Sequence, residues 1–118
     1  MLIIRQAQLD AMGRALDRQF TAAVRSHLAE QFPDRIAALS PEALAAEIEQ
    51  GCAQGREFGL ESEADVAALI HFRFEAGPDF ATHPEFGWAV AALMNPDLTS
   101  PERVDRLFEE WAARKPAA

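Results

Sequence analysis

Residues 6–31 read QAQLDAMGRALDRQFTAAVRSHLAEQ, a run broken by one glycine, Gly13, and by no proline. Its apolar side chains recur at Leu9, Met12, Leu16, Phe20, Val24 and Leu28. After the first step the spacing is four every time, and each such step passes a full helical turn by about 40°. The stripe therefore drifts around the axis by about 160° between its extremes. A two-stranded coiled coil would alternate steps of three and four. The drifting stripe predicts instead a long helix that shorter helices wrap, burying different faces along its length. Phe32-Pro33 ends it, because the residue before a proline avoids the helical region.

Working outward, Pro33 to Ala38 has room for one short helical turn. Ser40-Pro41-Glu42 is a helix start: serine caps, and proline sits where no amide bond is lost. The helix it opens carries Leu44, Ala45, Ile48 and Cys52 and should end between Gly55 and Gly59. Ser62-Glu63-Ala64-Asp65 resembles a capping box with Asp in place of Glu or Gln. The next helix should turn Val66, Leu69, Ile70 and Phe74 inward and close at Gly77-Pro78. A tight connector, residues 77–84, leads to Pro84, which opens a helix carrying Trp88, Val90, Ala91 and Met94. Asn95-Pro96 stops that helix. Ser100-Pro101-Glu102 starts the last one, with Val104, Leu107, Phe108 and Trp111 inward, and Lys115 to Ala118 reads as a frayed tail. No segment alternates apolar and polar residues between hairpin turns. The expected fold is all-α: a compact bundle of about five helices with a long N-terminal helix, in one domain spanning 1–118.

Composition narrows the classes. With 118 residues, 49% of them hydrophobic and 25% charged, the chain is an ordinary globular one, large enough for a real core. A single cysteine, Cys52, cannot form an internal disulfide, which favours a reducing compartment. The opening apolar run, Met1 to Ile4, is too short for a signal peptide, and no stretch reaches the ~20 apolar residues of a membrane helix. A cytoplasmic protein off the membrane is expected. The net charge of −8 repels a polyphosphate backbone, and acidic neighbours surround Arg103 and Arg106, so nucleic acid is not expected as a partner.

The residue types that carry chemistry do not fall into working patterns. His27, His71, His83 and Cys52 lack the paired spacing of a zinc site, so no metal is expected, and no cofactor motif is present. Cys52 falls on the inner stripe of its helix and reads as a small buried hydrophobe. Three of the four serines, Ser40, Ser62 and Ser100, stand at helix starts where capping explains them, and none lies in a Gly-x-Ser-x-Gly turn. Gly51-Cys52-Ala53-Gln54-Gly55 has no following Lys-Ser or Lys-Thr for phosphates. Adjacent acids such as Glu109 and Glu110 do not converge on a helix. What stands out is a crowd of aromatics, Phe72, Phe74, Phe80, Phe86 and Trp88, around His83. Most should pack the core. The sharper reading exposes Phe80, His83, Phe86 or Trp88 in part and makes them anchors for a partner protein.

The chain also carries Ile-Ile-Arg-Gln-Ala-Gln at 3–8, Gln-Phe-Pro-Asp-Arg at 31–35, Gly-Arg-Glu-Phe-Gly-Leu-Glu-Ser-Glu-Ala-Asp-Val at 55–66, and Gly-Pro-Asp-Phe at 77–80 with Trp88 downstream. In these features it resembles small helical proteins encoded beside spike and toxin genes in bacterial type VI secretion clusters. That resemblance implies a non-catalytic adaptor or chaperone for a secretion effector or spike component. It equally implies an immunity protein that blocks a co-encoded toxin, and the chain's acidity would suit a toxin with a basic nucleic-acid-binding cleft. A small enzyme with a dispersed carboxylate and histidine site is the third alternative, and convergence of Glu75, Asp79 and His83 in a deep pocket would favour it. A stripe left uncovered on the first helix would make room for a homodimer.

Overall fold

A computed structural model describes residues 6–115, with side chains from residue 18 onward. Leu9, Met12, Gly13 and Leu16, the N-terminal motif, and the tail after Lys115 therefore lie outside the described side chains. The described residues are all-helical: α1 Gln6–Gln31, α2 Pro33–Ala38, α3 Pro41–Glu57, α4 Glu63–Ala76, α5 Gly87–Leu93 and α6 Ser100–Arg114, with 3₁₀ turns at Phe80–Thr82 and Pro84–Phe86. This is one α-helix more than expected, because the short turn after Pro33 closes as a helix of its own. None of these helices is long and apolar enough to cross a membrane. The chain divides into two compact units, with the boundary between Ser40 and Pro41.

The first unit contains α1 and α2. Phe20, Val24 and Leu28, the described part of the four-step stripe, are buried, and Leu28 completely so. Phe32 leaves the helical region at φ −134°, as its place before Pro33 requires. Its amide still donates to the Leu28 carbonyl at 2.7 Å, and its own carbonyl accepts from the Ile36 amide at 3.0 Å. The chain thus turns from α1 into α2 without losing these backbone bonds.

In the second unit α4 lies between α3 and α6 and buries side chains on more than one face. Against α3 it presents Ile70 and Arg73. The close approach depends on two glycines one turn apart, because a Cβ on Gly51 would lie 2.4 Å from Ile70 Cγ1, and one on Gly55 3.1 Å from Val66 Cγ2. Arg73 is only 6% exposed, yet α3 supplies its partners. Nη1 donates to Gln54 Oε1 at 2.7 Å, and Nη2 lies 3.4 Å from Gln50 Oε1 and 3.6 Å from a Glu47 carboxylate oxygen. These three residues lie three and four apart, on one face of α3. A charge taken from water needs such a set.

The opposite side of α4 carries the main core. Leu69 and Phe72 pack with Phe58, Leu60, Phe80, Ala89, Leu93, Val104 and Leu107. Phe72, fully buried, meets Phe80, Phe86, Trp88, Phe108 and Trp111 edge-on, at ring-centroid distances of 5.0–6.2 Å. The helix before this cluster departs from expectation. Pro84 opens a 3₁₀ turn, and α-helix begins only at Gly87. The register is displaced accordingly: Ala89, Ala92 and Leu93 face inward, Ala91 is exposed, and Met94 is 58% exposed.

Two features pin the ends of these helices. Ser62 caps α4, its hydroxyl accepting from the Asp65 amide at 3.1 Å. The buried Asp65 carboxylate does not complete the expected box but accepts from the Ser100 hydroxyl at 2.6 Å. Ser100 is therefore not the cap of α6. Thr99 is, in a full capping box with Glu102, whose carboxyl the Thr99 amide holds below the usual carboxylate range. Arg103, one turn on, donates from Nε to the carbonyls of Asn95 (2.9 Å) and Leu98 (3.1 Å) and from Nη1 to that of Phe58 (3.0 Å).

Ser100→Ala removes a donor from a buried carboxylate and should cost about 1–3 kcal/mol. Thr99→Ala, the loss of an ordinary cap, should cost about 1 kcal/mol. Urea denaturation of the two variants checks the order, and a Ser100→Ala loss no larger than that of Thr99→Ala would remove the Asp65–Ser100 bond from any structural role.

Candidate aromatic and carboxylate surface

The sequence-predicted anchors separate on folding. Phe80 is 1% exposed, stacked on Phe58 and edge-on to Phe72, so it belongs to the core and not to a partner surface. Connector residues read as surface aromatics can be drawn inside when their turn is a 3₁₀ one, and Phe80 opens such a turn. His83 is exposed, with its ring 6.2 Å from that of Phe86. Phe86 and Trp88 are half-buried, their rings 6.1 Å apart. Trp111 of α6 joins them, stacked on Trp88 at 6.1 Å with 16° between the planes, and lies 5.8 Å from Phe86. Phe86, Trp88 and Trp111 thus form a continuous aromatic surface whose inner edge is the buried Phe72.

Beside it stands Glu75, on the last turn of α4. Its Oε1 accepts from His71 Nε2 at 2.6 Å, and its Oε2 accepts from Trp111 Nε1 at 2.7 Å and from the Lys115 ammonium. Burial raises the carboxyl's pKa. The bonds from Lys115, Trp111 and His71, with the Lys115 charge, outweigh that and bring it to about 2 from an ordinary 4.5. Lys115, expected to fray, is therefore docked, and its amide also bonds the Trp111 carbonyl at 3.0 Å. The spacing of His71 and Glu75, four apart on one helix, was visible in the sequence. Their junction with Trp111 and Lys115, some forty residues on, was not.

A carboxyl with a depressed pKa contributes stability that is complete above its ordinary value and is lost as pH falls through its folded value. The stability difference between the wild-type protein and Glu75→Gln should therefore be constant above pH 4.5 and shrink as the pH falls toward 2. Thermal melts of both proteins across that range test this. A difference independent of pH would mean that Glu75 is not held ionised by these partners.

The geometry does not bring Glu75 toward Asp79 and His83. The Glu75 oxygens are engaged by His71, Trp111 and Lys115, while Asp79 and His83 are exposed on the connector. Among the described residues no three His, Cys, Asp or Glu side chains are grouped to hold a metal ion. His27 is exposed and Cys52 half-buried, each within a helix. A shallow depression on α1 is lined by Arg18, Thr21, Ala22 and Arg25, and this lining contains no carboxylate, histidine or thiol.

Charge is divided unevenly along the chain. Residues 41–118 hold 15 acidic and six basic side chains, and residues 1–40 hold four and five. Four of those six, Arg73, Arg103, Arg114 and Lys115, have partners within the fold. The aromatic surface therefore sits in the part of the chain that carries the negative field.

No known protein family, curated protein or solved structure matches the chain.

Proposed function

We propose that the protein is a non-catalytic protein-binding module whose partner docks on Phe86, Trp88 and Trp111. The observation that carries this reading is the half-buried aromatic surface itself. Large rings that pack partly on a rigid core and partly face water supply contact area at low entropic cost, and aromatic side chains dominate the energetics of interfaces. The resemblance to small helical proteins of type VI secretion clusters gives the partner a class: an effector or spike component that this protein holds as an adaptor or chaperone. The same reading takes the protein as a cytoplasmic one.

A second reading has its own support. The acidity concentrated in residues 41–118 suits an immunity protein that covers the basic, nucleic-acid-binding cleft of a toxin. The two share one surface and differ in what is bound.

Affinity capture with the tagged protein from its source cells, followed by mass spectrometry, separates them. A spike protein recovered with its effector is the adaptor outcome, and a toxin whose activity the protein abolishes is the immunity outcome. Trp88→Ala should reduce recovery of either partner by about tenfold or more, the loss typical of an interface anchor. If no protein is retained at low salt, the binding-module reading fails and a small-molecule or enzymatic role replaces it.

A further inference from the structure

Two cations of the chain's own rest on the tryptophans. The Arg114 guanidinium carbon lies 4.4 Å from the Trp88 ring centroid, and the Lys115 ammonium lies 5.2 Å from that of Trp111. The ammonium also pairs with Glu75 Oε2, the oxygen that accepts from the Trp111 indole. The face of an aromatic ring is negative, and an ionised carboxylate beside it adds a charge-assisted acceptor. Together they make a complete seat for an ammonium or guanidinium group.

The occupants are held less firmly than the seat. Glu75 is 19% exposed and is held by His71 and Trp111 independently of its occupant, while the side chains of Arg114 and Lys115 are 44% and 45% exposed. Arg114 is the last helical residue, and Lys115 has already left the helix, at ψ 137°. Exchanging an exposed ion pair of this kind for an equivalent one has little net cost. The field of residues 41–118 draws further cations toward it.

We infer that Glu75, Trp88 and Trp111 form a binding seat for a lysine or arginine side chain of a basic partner segment, and that Arg114 and Lys115 fill it until the partner arrives. The inference rests on the reading of the protein as a binding module and specifies the chemistry of its partner. In the complex the incoming cation takes the tryptophan faces and the Glu75 oxygen, and Arg114 and Lys115 pass into water. Phe86, 5.8 Å from Trp111 and 6.1 Å from Trp88, flanks the seat with apolar surface for the neighbouring backbone or stem. An internal occupant lowers the apparent affinity in proportion to the fraction of time the seat is filled.

The chain has two tryptophans, Trp88 and Trp111, so intrinsic fluorescence reports on the seat directly. The probe is a capped peptide of alternating glycine and arginine, titrated into the full chain at about 0.15 M salt, where charges remote from the seat are screened. The wild-type protein should show a saturable fluorescence change. Arg114→Ala with Lys115→Ala should tighten the apparent affinity by about five- to tenfold. Glu75→Gln, which keeps the side chain's shape, should weaken it by about tenfold. Arg56→Ala with Arg106→Ala removes the same two charges from exposed positions elsewhere and should change it by less than about twofold.

Equal tightening in the two double variants overturns the proposal, since net charge alone would explain it. So does the absence of any saturable change in the tryptophan signal of the wild-type protein. A protein captured from the source cells that binds Glu75→Gln as well as wild type also overturns the seat, and leaves the binding module standing. Capture of no protein overturns the module, and the peptide titration still decides whether the seat takes a cation.

Discussion

Phe72→Ala should destabilise the protein by about 3–5 kcal/mol, the range for removing a fully buried phenylalanine from a packed site. The site is poorly able to collapse. Five rings meet Phe72 edge-on, from the connector, from α5 and from α6, and no one of them can fill the space without leaving the others. Against a total stability of about 5–15 kcal/mol for a domain, such a loss is a large fraction of the whole. Phe72→Leu retains most of the volume and should lose less than half as much. Denaturant midpoints of the two variants measure this, and near-ultraviolet circular dichroism reports whether Trp88 and Trp111 keep their fixed surroundings. A Phe72→Ala loss below about 1 kcal/mol would mean that the rings repack freely, and that the aromatic surface lacks a rigid base.

Gly51→Val should cost about 3 kcal/mol, and the effect runs against local preference. Glycine inside a helix is unfavourable by about 1 kcal/mol relative to alanine, so on propensity alone any side chain should help. At this position a Cβ meets Ile70 Cγ1 at 2.4 Å, and Ile70 is wholly buried and has nowhere to move. Even Gly51→Ala should be destabilising, by about 1–2 kcal/mol, because the overpacking exceeds the propensity gain. Gly87, at the start of α5, has nothing within 4 Å of its would-be Cβ, and Gly87→Ala should be neutral or stabilising. If Gly51→Ala and Gly87→Ala proved alike in thermal melts, α3 and α4 would not be in the close contact described.

Helix punctuation was the most legible part of the sequence. Phe32-Pro33, Ser62 and Gly77-Pro78 act where their backbone chemistry places them: Ser62 caps α4, and Gly77 ends it at φ 113°. What failed was inference from one segment about bonds made to another. Ser100 looks like a cap beside Pro101, yet its hydroxyl serves Asp65, 35 residues away. Arg73, in the last turn of α4, is buried because Glu47, Gln50 and Gln54 face it from α3, which no feature of its own segment announces. The spacing of those three is visible in the sequence, but nothing local says which helix they meet. The facing of α5 differs for another reason: Pro84 to Phe86 form a 3₁₀ turn, the α-helix begins only at Gly87, and Ala89, Ala92 and Leu93 turn inward.

The candidate surface was legible only in part. Phe86 and Trp88 were named from the crowding of aromatics in the connector and stand half-buried; Phe80, named with them, lies in the core. The sequence places Trp111 on an inner face and names Glu75 only for a possible convergence with Asp79 and His83, and the meeting of Trp111 with Glu75 depends on α4 and α6 lying side by side. A contact of that range leaves no trace in spacing.

Arg103 binds three main-chain carbonyls, at Phe58, Asn95 and Leu98, and so recognises the path of the chain and not its composition. The residues at those positions can be exchanged during evolution without loosening the latch, so long as the backbone keeps its course. The guanidinium itself has no such latitude: a lysine has one nitrogen and cannot span carbonyls from two separate loops. Divergent descendants of this chain should therefore drift freely across 95–98 while keeping arginine at 103, a pattern that would look like an isolated invariant charge beside a variable loop.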